Sequence, residues 1–95
     1  MSMYNPPHPG EFISEIYLKP LNLCYRSVAE KLKVSPSTFS RLIKGQSNIH
    51  SEMALRLSKT LGRSAESWMA MQSNYNLWIA RQNVNLDEVE ELEYA

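Results

Sequence analysis

Apolar residues recur along this chain in short runs at helical spacing, and each run is closed by a proline, a glycine or a small polar residue. Phe12, Ile13, Ile16 and Tyr17 predict a first helix from about Glu11 to Leu18, ended or bent by Pro20. Val28, Ala29 and Leu32, at i, i+1 and i+4, predict a short second helix that stops by Lys33. Ser35 then stands as an N-cap, with Pro36 at the first helical position, where a missing N–H costs nothing and the ring pre-sets φ. Phe39, Leu42 and Ile43 form the inward face of this third helix, and Gly45 supplies a left-handed stop after Lys44. A fourth helix is expected with Ser51 as its cap, Ala54, Leu55, Leu57 and Leu61 on its buried side, and Gly62 at its end. The fifth and longest runs from about Ala65 to Gln82 behind the cap Ser64, with Trp68, Met71, Tyr75 and Trp78 recurring along it.

With no strand pattern, the expected fold is all-α, a five-helix bundle forming one domain over residues 1–95. Its parts are an extended proline-set lead-in at 1–9, a helix-turn-helix at 24–45, a core and dimerisation helix at 65–82, and an acidic tail at 85–95.

The second and third helices, joined by a tight turn and followed by a polar outer face, are in the arrangement that places a helix in the DNA major groove. That groove is about 12 Å wide, so the tip of an entering helix has to carry small side chains. Ser37, Thr38 and Ser40 keep the tip slim while offering hydrogen bonds, and Arg41 is long enough to fork onto a guanine or grip a phosphate. These four are the expected base contacts. Arg26, Ser27, Lys44, Gln46 and Asn48 flank them at distances suited to phosphates.

Charge strengthens this picture. The net charge is zero, but eight basic residues lie between Arg26 and Arg63 against only Glu30 and Glu52, while "DEVEELEYA" holds five of the ten acids. The distribution predicts a basic binding face and an acidic tail. Trp68 and Met71 are assigned to the core. Tyr75, Leu77, Trp78 and Ile79 are assigned to the interface of a homodimer, since aromatic residues and Met are enriched at such interfaces.

Other chemistries find no support. His8, His50 and Cys24 share no ligand spacing, so no metal or cofactor is expected, and His8 is read as structural or superficial. Paired carboxylates, Gly-rich phosphate loops and triads do not occur, so an enzyme with a small-molecule substrate is not expected. The "SPST" run is read as a cap and groove contact, not a phosphosite. Cys24 is read as a small packed residue near a helix start. One cysteine, no apolar run of membrane length and no basic-then-apolar leader together suggest a cytoplasmic protein away from membranes.

The stretch "VAEKLKVSPSTFSRLIKG" resembles the helix-turn-helix of the Cro/repressor type, the XRE family with the λ-repressor-like fold. The resemblance implies that Ala29 packs tightly against the third helix and that Val34 follows the turn. Lys33 stands where glycine is usual, which predicts a positive φ there. Pro36 stands where a base-reading glutamine is frequent, which moves the reading to Ser37, Thr38, Ser40 and Arg41. "PPHPGEFISEIYLKPLNL", "SRLIKGQSNIHSEMALRLSKTLG" and "SWMAMQSNYNLWIA" look like the HigA-type (VapI-like) antitoxins. That similarity implies a dimer that binds double-stranded operator DNA, represses its own operon and neutralises a cognate RelE-like mRNA-cleaving toxin. The alternatives are a stand-alone XRE-family regulator with no toxin, and a protein-interaction module that does not bind DNA.

Overall fold

Every predicted helix forms, and no strand occurs among the described residues. The computed structural model describes residues 5–93; the first four residues of the lead-in and the last two of the acidic tail lie outside the described residues. Helix α1 (Pro9–Ile13) runs into a π-helical turn (Ser14–Leu18), followed by α2 (Tyr25–Leu32), α3 (Pro36–Ile43), α4 (Ser51–Leu61) and α5 (Ala65–Asn83).

Helix α1 starts two residues before Glu11 because His8 caps it: the Gly10 N–H donates to His8 Nδ1 at 2.9 Å, and Pro9 occupies the first turn. Past Ile13 the winding loosens, with the Lys19 N–H reaching back five residues to the Ser14 carbonyl at 3.0 Å. That register puts residues five apart on one face. Ile13 and Leu18 are therefore both buried, Phe12 and Tyr17 pack ring against ring at 6.2 Å, and Ile16, expected inside, is 51% exposed.

The core gathers Ile13, Val28, Ala29, Leu32, Phe39, Leu42, Ile49, Ala54 and Leu57 around Trp68. Trp68 is fully buried, and its indole N–H donates to the Gly62 carbonyl at 3.0 Å, which removes the penalty of an unpaired donor. Ala29 is also fully buried, as the family resemblance implied. Three local expectations are corrected. The N-cap of α4 is His50, with no side-chain capping bond, and Ser51 is the first helical residue. Leu55 is 63% exposed: each helical residue turns by about 100°, so Ala54, Leu57 and Leu61 share a face that Leu55 leaves. Cys24 is exposed, because it is the extended N-cap residue of α2 and its side chain stands outside the packing.

Helix α1 is fastened to α3 by a backbone approach. A Cβ on Gly10 would overlap the Leu42 carbonyl oxygen and crowd the Ile43 Cα, so only glycine lets α1 lie against the end of α3. We expect Gly10→Ala to lower unfolding free energy by about 1–3 kcal/mol through overpacking. Ser73→Ala, at an exposed site on α5, should stay within about 0.5 kcal/mol. Equal urea midpoints for the two variants would contradict the close approach.

Candidate nucleic-acid interface

The turn between α2 and α3 is made by Lys33, at φ 61° and ψ 40°, the left-handed conformation expected of it. The Lys33 N–H donates to the Glu30 carbonyl at 3.2 Å and the Val34 N–H to the Ala29 carbonyl at 3.1 Å, a Schellman pair that satisfies the end of α2. Arg56, reaching over from α4, donates through Nη1 to the Leu32 carbonyl at 2.8 Å. Its Nε and Nη2 bond Glu52 Oε2 at 3.2 and 3.1 Å. Arg56, counted in the sequence with the basic stretch, is thus taken up by the turn. Arg63 is taken up as well: its guanidinium lies over the rings of Phe12 at 5.0 Å and Trp68 at 5.8 Å.

Helix α3 begins as predicted. Ser35 Oγ accepts the Thr38 N–H at 3.1 Å and donates to Thr38 Oγ1 at 2.8 Å, so the Thr38 hydroxyl hydrogen points elsewhere. Ser37 Oγ lies 3.3 Å from Ser35 Oγ, which orders the hydroxyls of the tip. At the other end Gly45 takes φ 77°, with the Gly45 and Gln46 N–H groups donating to the Leu42 and Arg41 carbonyls at 3.0 and 2.9 Å. Phe39 and Leu42 are buried. Ser37, Arg41 and Lys44, at i, i+4 and i+7, form an exposed row, with Thr38 and Ser40 half-buried beside it.

Thr38, Arg41, Ser47, Asn48, His50 and Met53 line one depression between α3 and the loop that follows it. The structure therefore brings Arg41 and Asn48 together. It adds Ser47 and His50, which were not among the residues expected at this face. Gln46 is exposed just past the end of α3. Arg26 and Ser27 are exposed in the first turn of α2, where Ser27 Oγ donates to the Cys24 carbonyl at 3.2 Å and the Arg26 guanidinium lies 5.5 Å from the Tyr25 ring centre.

Two buried polar side chains support this face from behind: Gln72, which the sequence did not single out, and His8, expected to be structural or superficial. Gln72 of α5 accepts the Ile49 N–H at 2.8 Å and donates to Asn48 Oδ1 at 3.2 Å and Asn76 Oδ1 at 2.9 Å. His8 lies against Gly45 and stands edge-on to Tyr75 at 4.9 Å. Burial holds its pKa below the ordinary histidine value, while the Ser47 carbonyl and the Glu11 charge act the other way. A signal for each existed: a lone glutamine inside the aromatic stripe, and a histidine directly before the proline that opens a helix.

The four residues assigned to a dimer interface do not share one face. Tyr75, Trp78 and Ile79 lie within one sector of α5, all half-buried, and Tyr75 already meets His8 of its own chain. Leu77 points the opposite way, 47% exposed, and with Met69, Ser73 and Ala80 lines a groove that reaches Asn48 and Ile49. Among the described residues there is no cluster of three or more His, Cys, Asp or Glu able to hold a metal, and no helix long and apolar enough to cross a membrane.

The helix-turn-helix family HTH_3 matches residues 15–68, from the π-turn of the first helix to the buried Trp68. Virulence-associated protein I of Dichelobacter nodosus is 42% identical over 76 residues, 80% of this chain and 70% of that protein. The crystal structure of PA4674 from Pseudomonas aeruginosa with its operator DNA superposes at a TM-score of 0.86 and 32% identity, covering 95% of this chain and 100% of that one. The Pseudomonas aeruginosa antitoxin HigA, in a structure with the higBA promoter, gives a TM-score of 0.78 and 35% identity over 82% of this chain and 85% of that one. This chain belongs to the helix-turn-helix family of XRE type, in the branch that holds the HigA-like antitoxins.

Proposed function

We propose that this chain is a sequence-specific DNA-binding repressor of its own operon and the antitoxin of a toxin–antitoxin pair. Two copies set α3 in successive major grooves about 34 Å apart. Ser37, Thr38, Ser40 and Arg41 read bases, and Arg26, Ser27, Lys44, Gln46 and Asn48 hold phosphates. The observation that carries this reading is the exposed row Ser37, Arg41 and Lys44 on a helix capped at both ends and buried along its back. A helix held in that way presents side chains without a backbone ordering cost, and the relatives solved with operator DNA share its framework. In gel-shift titrations against operator DNA, Arg41→Ala should cost about 1–3 kcal/mol and relax selectivity at one base pair. Lys44→Ala should weaken all DNA alike and reduce the salt slope by about 1. Unchanged operator affinity in Arg41→Ala would remove α3 from the reading role.

The second copy packs on the distal half of α5, where Leu77 is exposed, Trp78 and Ile79 are half-buried, and every described residue from Arg81 onward is exposed. Tyr75 supports this half from within its own chain, through His8. Sedimentation should show a dimer at micromolar concentration that Leu77→Glu converts to monomer; a wild-type monomer would refute the assignment.

The toxin partner is a small basic ribonuclease of the RelE-like class. Support comes from the relatives named as antitoxins and from the tail, where exposed Val84, Leu86, Val89 and Leu92 alternate with Asp87, Glu88, Glu90, Glu91 and Glu93. Apolar groups interleaved with acids suit a surface that is positive in order to hold RNA. Co-expressed with the product of the adjacent reading frame, the tagged chain should retain that protein and restore growth, and a chain ending at Asn83 should do so less well. A neighbour that is neither toxic nor retained would leave a stand-alone regulator.

A further inference from the structure

We infer that Gln72, although buried in α5 away from the DNA-facing surface, is a positioning residue for DNA binding: it turns the amide of Asn48 so that the NH2 end faces outward. The inference rests on the reading of Asn48 as a phosphate contact.

The hydrogen bonds allow one arrangement only. Gln72 is 3% exposed, so its amide has to find partners inside the protein. The Ile49 backbone N–H can only donate, and at 2.8 Å it fixes the carbonyl oxygen of Gln72 on its side. The NH2 group is thereby forced to the other side, where its two hydrogens go to Asn76 Oδ1 at 2.9 Å and Asn48 Oδ1 at 3.2 Å. With Oδ1 engaged inward, the exposed Asn48 has its NH2 donors left for an outside partner. Phosphate oxygens only accept, so this is the productive orientation, and a reversed amide would set an oxygen against them. Gln72 lies 24 residues beyond Asn48 in sequence; a leucine or methionine in its place would leave the buried Ile49 N–H unpaired and the Asn48 amide unoriented. A polar side chain in that core is accounted for by what it does to the loop after α3.

The test uses a duplex enriched by this chain from random-sequence DNA, with single methylphosphonates placed in turn along both strands. In the wild type, one neutralised phosphate should weaken binding by roughly tenfold, the scale of a hydrogen bond to a charged group. Asn48→Ala should abolish sensitivity at that position alone. Gln72→Met should abolish the same sensitivity and leave the position read by Lys44 unchanged, and adding it to Asn48→Ala should bring no further loss. Gln72→Glu is the second variant, measured through rising pH, because burial raises the pKa of its carboxyl and only the ionised form lacks a donor. It keeps an acceptor for Ile49 but cannot donate, so it draws the Asn48 NH2 inward and should behave as Gln72→Met does. A folded Gln72 variant that retains the Asn48-dependent sensitivity overturns the positioning role and leaves Asn48 as a phosphate contact. If no phosphate depends on Asn48, that contact and the role of Gln72 fall together.

Discussion

The left-handed turn at Lys33 is the constraint on which the rest of the structure depends. It directs α3 away from α2, and so decides which residues of α3 become core and which become surface. For a residue with a Cβ this conformation costs about 1–2 kcal/mol. Two backbone bonds close the turn, and the Arg56 guanidinium, itself steadied by Glu52, binds the Leu32 carbonyl where the partial negative charge of the helix end collects. A charged donor on that carbonyl offsets what glycine would have avoided. The fourth helix thus acts on the second and third through one long side chain.

From there α3 is secured at each end by a different device. At its start the Ser35 cap and Pro36 set the direction of the first turn. At its finish Gly10 admits the backbone of α1, and His8 covers Gly45. Just beyond it, Gln72 holds the Asn48–Ile49 backbone to α5. The polar face of α3 is left free of structural duty except at its tip, where Ser37 and Thr38 both meet the Ser35 cap.

Much of this is legible in the sequence, because the deciding signals are local. Ser35 with Pro36, Ser64, Gly45 and the spacing of Phe39 and Leu42 act within one or two turns, and the helices follow from them. What escapes has another origin. The π-turn after Ile13 changes the period by which apolar positions are read, and so misplaces Ile16. Arg56 and Gln72 act on partners more than twenty residues away, a pairing that neither composition nor periodicity encodes. Arg63 counts as a cation in any tally of charge, yet its place over two aromatic rings is set only once α1 meets α5. The face of α3 could be predicted because it is defined by exclusion from the core; the supports behind it could not.

The contact between Gly10 and Leu42 has a mechanical consequence. Backbone lies against backbone there, with no flexible side chain between to act as a cushion. Helix α3 cannot tilt or slide within its own subunit without dislodging α1. If α3 enters a groove as proposed, it would do so as a rigid wedge of fixed pitch. Any mismatch between the spacing of two such wedges and the spacing of two half-sites would then have to be absorbed by curvature of the DNA or by give at the joint between copies. Discrimination among sequences would extend to base pairs that no side chain touches, through the energy needed to bend them.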